Sequence, residues 1–409
     1  MNFSIIVLVL AFLAIGLALG VGLGLGLRKH KSVSSSDTDF LAGGDLDPQF
    51  FSTRGAFNGS GIALASQSFQ GDEQGSMVLY YQHYTGTIRF KQLRDGKWVG
   101  GTMSEIVAYD AKNGTPISAV AYALHNISTW HIFYINAENQ VRQKTNSNVT
   151  NIWQDGPVNK LNLTTMNSDS VGMQACWYGN FYGDTDYKDL KPTVTSDGSN
   201  ATTYSTDVGM HLWYAVDPTT FQQYGWRDGF DHWEKQDNWT SMNGHAGVGC
   251  YTWGPGTVTY TMMVNSDNTL EIWWKDTNTS LPSTKEHPIN VWTNSSVAVN
   301  NVHPRTSLGY TTFLYAQDAE TLQLKGYNIS WHAEKTQIIA ENELTVEVNI
   351  PNQGRPIQGS HFSVSAINDQ SGGESLIVFY QTQGNDITEF TRDLFGGMWS
   401  YLPLPMNDK

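Results

Sequence analysis

The sequence predicts an all-β chain, a six-bladed β-propeller preceded by a single N-terminal transmembrane helix. Three observations carry that prediction. The chain opens on a long uncharged apolar stretch; beyond it, short β-branched and aromatic runs bounded by Gly, Asn and Asp replace any helical periodicity; and one strand–turn–strand register recurs six times.

The N-terminal element is the run from Ile5 to Leu27, 23 residues without a charge. At roughly 1.5 Å per residue it is long enough to cross a hydrocarbon core of about 30 Å. Residues 1–27 therefore read as a transmembrane signal anchor, with a cleaved signal peptide as the alternative because Ala18-Leu19-Gly20 offers small residues at a cleavage-like spacing. A Ser- and Asp-containing stalk comes next, giving a juxtamembrane segment over 28–49. Arg28, Lys29 and Lys31 would hold the rest of the chain in the cytosol. Against this stand ten Asn-x-Ser/Thr sequons, at Asn58, Asn113, Asn126, Asn148, Asn162, Asn200, Asn238, Asn278, Asn294 and Asn328. A run of acceptor sites points to the glycosylation machinery. The expected placement is a single-pass membrane protein with its propeller extracellular or lumenal, and the uncharged Met1-Asn2-Phe3-Ser4 suggests that a basic leader precedes this start.

Residues 50–409 carry the repeat. An apolar pair ending in Tyr (Met in the fourth copy) is followed seven residues later by an apolar residue, at Tyr81/Ile88, Tyr134/Val141, Tyr214/Phe221, Met263/Leu270, Tyr315/Leu322 and Tyr380/Ile387. Phrases such as Leu79-Tyr80-Tyr81-Gln82 and Val378-Phe379-Tyr380-Gln381 read as one strand, with the later residue opening its hairpin partner. Another strand-like run precedes each hairpin. A tryptophan comes after it, at Trp98, Trp153, Trp233, Trp292, Trp331 and Trp399, as expected for a fourth strand. Four strands of five to six residues with their turns need about 45 to 50 residues, close to most of the spacings between copies. The longest spacing holds an insertion from about Gly179 to Thr206, read as a surface loop. One blade cannot bury both faces of its sheet, so six close into a ring. Small residues such as Ala63, Ala119, Gly172 and Gly249 suit crowding at the axis.

The Tyr-Tyr-Gln and Phe-Tyr-Gln strands, the seven-residue spacing, the Ile-Arg start at Ile88-Arg89 and the Gly96-Lys97-Trp98 ending resemble the fungal fucose-specific lectins over about residues 57–404. That resemblance implies sugar sites between adjacent blades. Each is built from an Arg three residues before the anchor, a Glu nine residues after it and an aromatic residue from the next blade. The chemistry is sound: a charged pair gives directional hydrogen bonds to hydroxyls, and an aromatic face covers the sugar's C–H patch.

Here the early position holds Val78, His131, His211, Tyr260, Thr312 and Ile377, and the late one Phe90, Gln143, Gln223, Ile272, Leu324 and Glu389. No copy keeps Arg with Glu. The candidate carbohydrate sites are His131 with Gln143 and Trp177, and His211 with Gln223 and Trp253; polar residues on a strand surface are the competing reading. Glu389, read as facing Ile377, is taken as solvent-exposed. Arg89 and Arg142 are set aside because a one-residue offset turns a strand side chain to the other face.

Composition limits the remaining classes. The net charge of −14 disfavours nucleic acid. Cys176 and Cys250 are too few for a cysteine metal site. They fall in equivalent inner strands of consecutive blades, and packed sheets lie about 10 Å apart, so two buried free thiols are expected. No zinc-protease, nucleophile-elbow or phosphate-loop motif occurs and the carboxylates are scattered, so no catalytic, metal or cofactor residue is assigned and the chain is read as a non-enzyme. The expected function is a membrane-anchored lectin-like propeller whose partners are glycans or glycoproteins. A protein-binding or structural ectodomain is the alternative, and a propeller glycosidase a lesser one. Sequence leaves the ligand and the oligomeric state open.

Overall fold

The structure is a computed structural model. It describes residues 55–406 apart from 67–76, 95, 125–126, 179–208, 228–230, 253–256, 279, 311–312, 342–344, 347–355, 369–373, 383–384 and 395. The expected anchor, the stalk, the insertion and Trp253 lie outside the described residues. Among the described residues no helix is long and apolar enough to cross a membrane.

The described chain is six antiparallel sheets, each continuous in sequence. Blade 1 runs Ile62–Ser66, Met77–Gln82, Ile88–Arg94 and Lys97–Gly100, with Ile106–Ala108 added beside its third strand. Blade 2 is Ser118–Leu124, Ile127–Ile135, Val141–Ser147 and Gln154–Asp155. Blade 3 is Met173–Trp177, Gly209–Asp217, Thr220–Arg227 and Glu234–Thr240. Blade 4 comprises Gly249–Thr252, Val258–Val264, Leu270–Asp276 and Thr293–Val299. Blade 5 comprises Leu308–Tyr310, Phe313–Gln317, Leu324–Ser330 and Gln337–Glu341, and blade 6 Phe362–Asn368, Glu374–Thr382, Asn385–Asp393 and Gly396–Pro403. The first strands touch one another in sequence order and the sixth returns to the first, which closes the ring. Small residues permit that approach. A Cβ on Gly172 would meet the carbonyl of Ala246, and one on Gly61 the carbonyl of Thr115.

The repeat register holds in most blades. The residue after the anchor pairs with the start of the third strand at Gln82↔Ile88, Ile135↔Val141, Ala215↔Phe221 and Val264↔Leu270. Blade 5 departs from it. There Gln317 pairs with Leu324 and Ala316 with Lys325, because the turn is one residue longer and Leu322 sits in it at φ 59°. Ala316 thus takes the anchor's place, and the two site positions fall on Phe313 and Gly326 instead of Thr312 and Leu324.

The tryptophan series joins blades as well as marking fourth strands. Trp98 and Trp399 lie within fourth strands, whereas Trp153, Trp233 and Trp292 each sit one residue before theirs. Four of them reach back to the residue preceding the anchor in the previous blade: Trp98 to Phe379 (5.5 Å, 85°), Trp153 to Tyr80 (6.0 Å, 87°), Trp233 to Phe133 (5.7 Å, 85°) and Trp292 to Trp213 (6.2 Å, 71°). These are edge-to-face contacts, the geometry the ring quadrupole favours.

The glutamine of the Tyr-Gln phrase supplies a second joint. Gln381 Oε1 accepts from Ser60 N (3.1 Å) and its Nε2 donates to Phe57 O (3.0 Å), linking blade 6 to the loop entering blade 1. Gln82 does the same with Gly114 N (2.8 Å) and Lys112 O (2.9 Å), and Gln317 with Gly359 N (2.8 Å) and Ile357 O (3.2 Å). Among the described residues every blade is continuous and no exchanged strand closes the ring; the Gln381 and Trp98 contacts lie at that seam.

The expectation of two free thiols is overturned. Cys176 and Cys250 are joined as a disulfide between blades 3 and 4, with Cα atoms 6.3 Å apart. The 10 Å sheet spacing does not apply here because first strands converge on the axis, and 6.3 Å lies within the span a disulfide bridges.

Candidate functional site

The early and late positions lie on neighbouring strands of one sheet. Phe133 stands opposite Gln143 and His131 opposite Thr145, so the His and Gln side chains share a face and meet diagonally. Gln143 Nε2 donates to His131 Nδ1 at 2.9 Å. That bond leaves the ring proton on Nε2, which donates to Tyr122 Oη at 3.2 Å. Gln143 Oε1 in turn accepts from Val158 N at 3.2 Å. Burial pushes the His131 pKa down to about 3, so the ring is neutral at any physiological pH. The position that carries Arg in the resembled family therefore carries an uncharged, fully engaged imidazole.

Trp177 belongs to the same group through an intermediary. Its ring lies 4.0 Å from Tyr122 at 6°, and Tyr122 stacks on His131 at 5.4 Å and 13°. His131, Gln143 and Trp177 are thus brought together, with Tyr122 inserted between His131 and Trp177.

A cavity of about 680 Å³ opens beside this stack between blades 2 and 3. It is lined by His131, Arg142, Asp155, Gly156, Pro157, Asn159, Lys160, Trp226 and Asp231, and its size suits a small organic ligand. Local sequence explains the opening. The fourth strand of blade 2 stops after two residues, at Asp155 opposite Lys144, and the chain turns away through the 3-10 turn Pro157–Leu161. Asn159 then takes the place of the missing strand beside Gln143, its Oδ1 accepting from Gln143 N (2.7 Å) and its Nδ2 donating to Gln143 O (3.2 Å). Arg142 borders the cavity, but its side chain turns to the other face of the blade as strand alternation requires, opposite Tyr134 and with Nε 3.9 Å from Asp110 Oδ2.

Blade 3 supplies the opposing wall. Trp226, whose ring centroid is 6.0 Å from that of His131, comes from its third strand. The sequence reading missed Trp226 because the register was followed only to nine residues past the anchor. Twelve past it, blades 3, 4 and 6 carry Trp226, Lys275 and Arg392. Asp155, Asn159, Lys160 and Asp231 also escaped notice; the first three lie in or just after the shortened fourth strand of blade 2, and Asp231 comes from blade 3, a meeting visible only in the fold.

His211 and Gln223 repeat the first pair. Gln223 Nε2 donates to His211 Nδ1 at 3.1 Å, and Gln223 Oε1 accepts from Trp239 Nε1 at 3.1 Å. Burial, with Lys275 nearby, holds the His211 pKa well below 6.5. The facing wall differs: Lys275 replaces tryptophan and lies 4.9 Å over the ring of Trp292, a cation–π contact. Trp253, its expected aromatic partner, is outside the described residues.

Glu389 corrects the sequence reading. It lies opposite Phe379 instead of Ile377, is half-buried, and accepts from Trp98 Nε1 of blade 1 at 2.6 Å. Burial raises its pKa, with the tryptophan bond acting against the shift. The early residue of that blade, Ile377, packs with Leu79 and Phe379 in an apolar cluster. Among the described residues no group of His, Cys, Asp or Glu is arranged to hold a metal.

Of the ten sequons, Asn113, Asn148, Asn162, Asn238 and Asn294 are exposed and Asn278 and Asn328 half-buried. Asn58 is 7 % exposed, and Asn126 and Asn200 lie outside the described residues.

Comparison with known proteins places this geometry. Residues 58–176 match the family model for fungal fucose-specific lectin. No curated protein matches the chain. Among solved structures, the fungal lectin from Aleuria aurantia, described as a six-bladed β-propeller with a novel fucose recognition mode, is 16% identical with a TM-score of 0.62, covering 87% of this chain and 99% of that one. AofleA from Arthrobotrys oligospora is 13% identical, TM-score 0.58, covering 89% and 90%. SapL1 lectin, solved with α-methyl fucoside, is 16% identical, TM-score 0.56, covering 87% and 98%. The resemblance seen in the sequence therefore stands: this chain is a six-bladed β-propeller similar to the fungal fucose-specific lectins, in a form that does not keep their Arg/Glu pairs.

Proposed function

We propose that the chain is a carbohydrate-binding, lectin-like propeller whose working site is the cleft between blades 2 and 3. The observation that carries the reading is the 680 Å³ cavity between two adjacent blades, the kind of place where the sequence resemblance implies a sugar site, with Trp226 on one wall and polar groups on the other. An indole face and a few donors suffice to hold a saccharide. Because both nitrogens of His131 are engaged within the protein, the site lacks a charged donor at the early position, and affinity for a neutral sugar such as fucose is weak. The chain performs no chemistry in this reading, in keeping with the lectins it resembles.

The propeller sits outside the cytosol, held by the apolar run of residues 5–27. Two features support that placement: the disulfide between blades 3 and 4, a bond at home in oxidising compartments, and five exposed sequons. The test is a glycan array with the full chain. Binding to defined glycans that is lost in Trp226→Ala, with the thermal transition retained, supports the reading; silence across the array rejects it. A second reading, a protein-binding propeller without sugar recognition, draws on the apolar clusters that fill the clefts at Val78 and at Ile377.

A further inference from the structure

The connection between the third and fourth strands of blade 4 is longer than its counterparts in the other blades, running from Thr277 to Trp292. Its feet are fastened to blade 4 itself: Thr277 N donates to Thr257 O (3.1 Å), Asn278 N to Asp276 Oδ1 (2.7 Å) and Asn290 N to Asp276 O (2.8 Å). The reach from Ser280 to Glu286 is exposed. It folds back through a turn in which Thr284 N donates to His287 O (3.0 Å) and His287 N to Thr284 Oγ1 (2.9 Å). Among the described residues, His287 is the side chain of this reach that hydrogen-bonds to another blade. It stands between two carboxylates. Nε2 lies 2.9 Å from Asp276 Oδ2 in its own blade, and Nδ1 lies 2.8 Å from Glu334 Oε2 on the turn Ala333–Lys335 of blade 5. Two such acceptors need two ring N–H groups, and only the imidazolium has both. The ring also lies against Trp274, at 4.8 Å and 33°. Trp274 is buried in the apolar cluster that joins blades 4 and 5, and its Nε1 meets no acceptor.

We propose that Ser280–Pro288 is a pH-released strap: the His287 imidazolium latches it across blades 4 and 5 beside Trp274, and loss of that proton frees it, uncovering an indole face with an uncommitted N–H. Deprotonation leaves one ring nitrogen with its lone pair aimed at a carboxylate, so one hydrogen bond is lost and a repulsion takes its place. Burial works against the proton, but the bonds and charges of Asp276 and Glu334 outweigh it and hold the His287 pKa above 6.5. The latch is therefore complete below 6.5 and is lost as pH rises through the raised value. The neighbouring titratable groups are Lys335 beside Glu334 and the Tyr260 phenol, which feels both carboxylates, with Lys285 and Glu286 on the strap itself. Burial pushes the Tyr260 phenol up, and imidazole is the side chain of this set whose charge changes between about pH 6 and 8. The strap does not depend on the carbohydrate reading of the cleft between blades 2 and 3.

The experiment is hydrogen–deuterium exchange of the full chain from about pH 5.5 to 9, read by mass spectrometry on peptides covering residues 280–288, with each rate divided by the intrinsic rate at that pH. The Thr284 and His287 amides, bonded within the latched turn, report its opening. The expected result is protection that is level up to about pH 6.5 and then falls about three- to tenfold, the worth of one charge-assisted hydrogen bond whose partners are partly in water. In His287→Gln the protection is low at every pH. In Glu334→Gln the fall moves to lower pH, because one of the two carboxylates that hold the proton is gone. His287 and Glu334 are both partly exposed, so the two variants keep the fold, and the thermal transition verifies it. Protection that does not change with pH in the wild type, a strap unprotected throughout, or a His287→Gln chain with the same pH-dependent fall overturns the proposal.

Discussion

Replacing Gln381 tests how the ring is closed. Its side chain is 1 % exposed and spends both amide atoms on blade 1, as acceptor from Ser60 N and donor to Phe57 O. In Gln381→Met the shape is nearly kept and both bonds vanish. Ser60 N also donates to Phe57 O at 2.9 Å, so neither group is orphaned, and the expected cost is the net worth of two hydrogen bonds, about 1–3 kcal/mol. With an unfolding entropy near 2.1 cal/mol/K per residue over roughly 350 residues, that lowers the melting temperature by about 1–4 °C. Gln381→Glu sharpens the test. A carboxylate can still accept from Ser60 N, but it faces the Phe57 carbonyl in a buried site, which raises its pKa. For an acid whose folded pKa is raised, stability is lost as pH climbs from its unfolded value of about 4.3 through the folded one. A shift of about two units costs about 2.7 kcal/mol at pH 7 and nothing near pH 4, where the protonated acid restores the donor. The assay is calorimetry of wild type and both variants at pH 4.5 and 7. A Glu variant whose deficit against wild type is the same at both pH values would refute the seam as described, as would a Met variant melting with wild type.

Reduction of the Cys176–Cys250 disulfide, or Cys176→Ser, should destabilise the chain by up to about 4 kcal/mol on the chain-entropy view for a closed loop of 74 residues, read as a lower denaturation midpoint in the presence of reductant. His131, His303 and His361 are held neutral by burial, with pKa values near 3, 4 and 4. Their contribution is full above about pH 6.5 and declines as pH falls toward those values, so the melting temperature should drop progressively below pH 6.5. His287 runs the other way. Burial lowers its pKa, but bonds to Asp276 Oδ2 (2.9 Å) and Glu334 Oε2 (2.8 Å) outweigh it and the net shift is upward. The stability it adds is complete below 6.5 and lost as pH rises through the folded value, so the gap between wild type and His287→Gln should close in alkaline buffer. Glycopeptide mapping of the protein from its host should find Asn113, Asn148, Asn162, Asn238 and Asn294 accessible to modification and Asn58 bare, since only the former are exposed.

The architecture was legible because its signal repeats. Any one Tyr–x₆–apolar spacing is weak, but six copies constrain each other, and four sheets use that pairing as read. Blade 5 escaped because one extra turn residue leaves a Tyr one place from the anchor position, where hydrophobicity alone cannot tell Tyr315 from Ala316. The cysteine reading failed for a geometric reason: sheet spacing is a property of mid-blade strands, and the inner strands converge. At the site, the His131–Gln143 pairing followed from strand alternation, but the neutral tautomer and the Tyr122 bridge did not. The facing wall was illegible at the range searched, because Trp226 lies in another blade, 95 residues on from His131. Glu389 shows the same limit: its partner Trp98 stands 291 residues earlier in the chain.

That last contact bears on how the molecule is made. A ribosome delivers blade 1 first and blade 6 last, so Phe57, Ser60 and the Trp98 indole emerge long before Gln381, Phe379 and Glu389 exist to meet them. Until synthesis is all but finished, the nascent chain carries a greasy flank at each end of an unfinished arc. Its final fifty or so residues act as a keystone, and truncations there should harm secretion far more than their share of the core suggests.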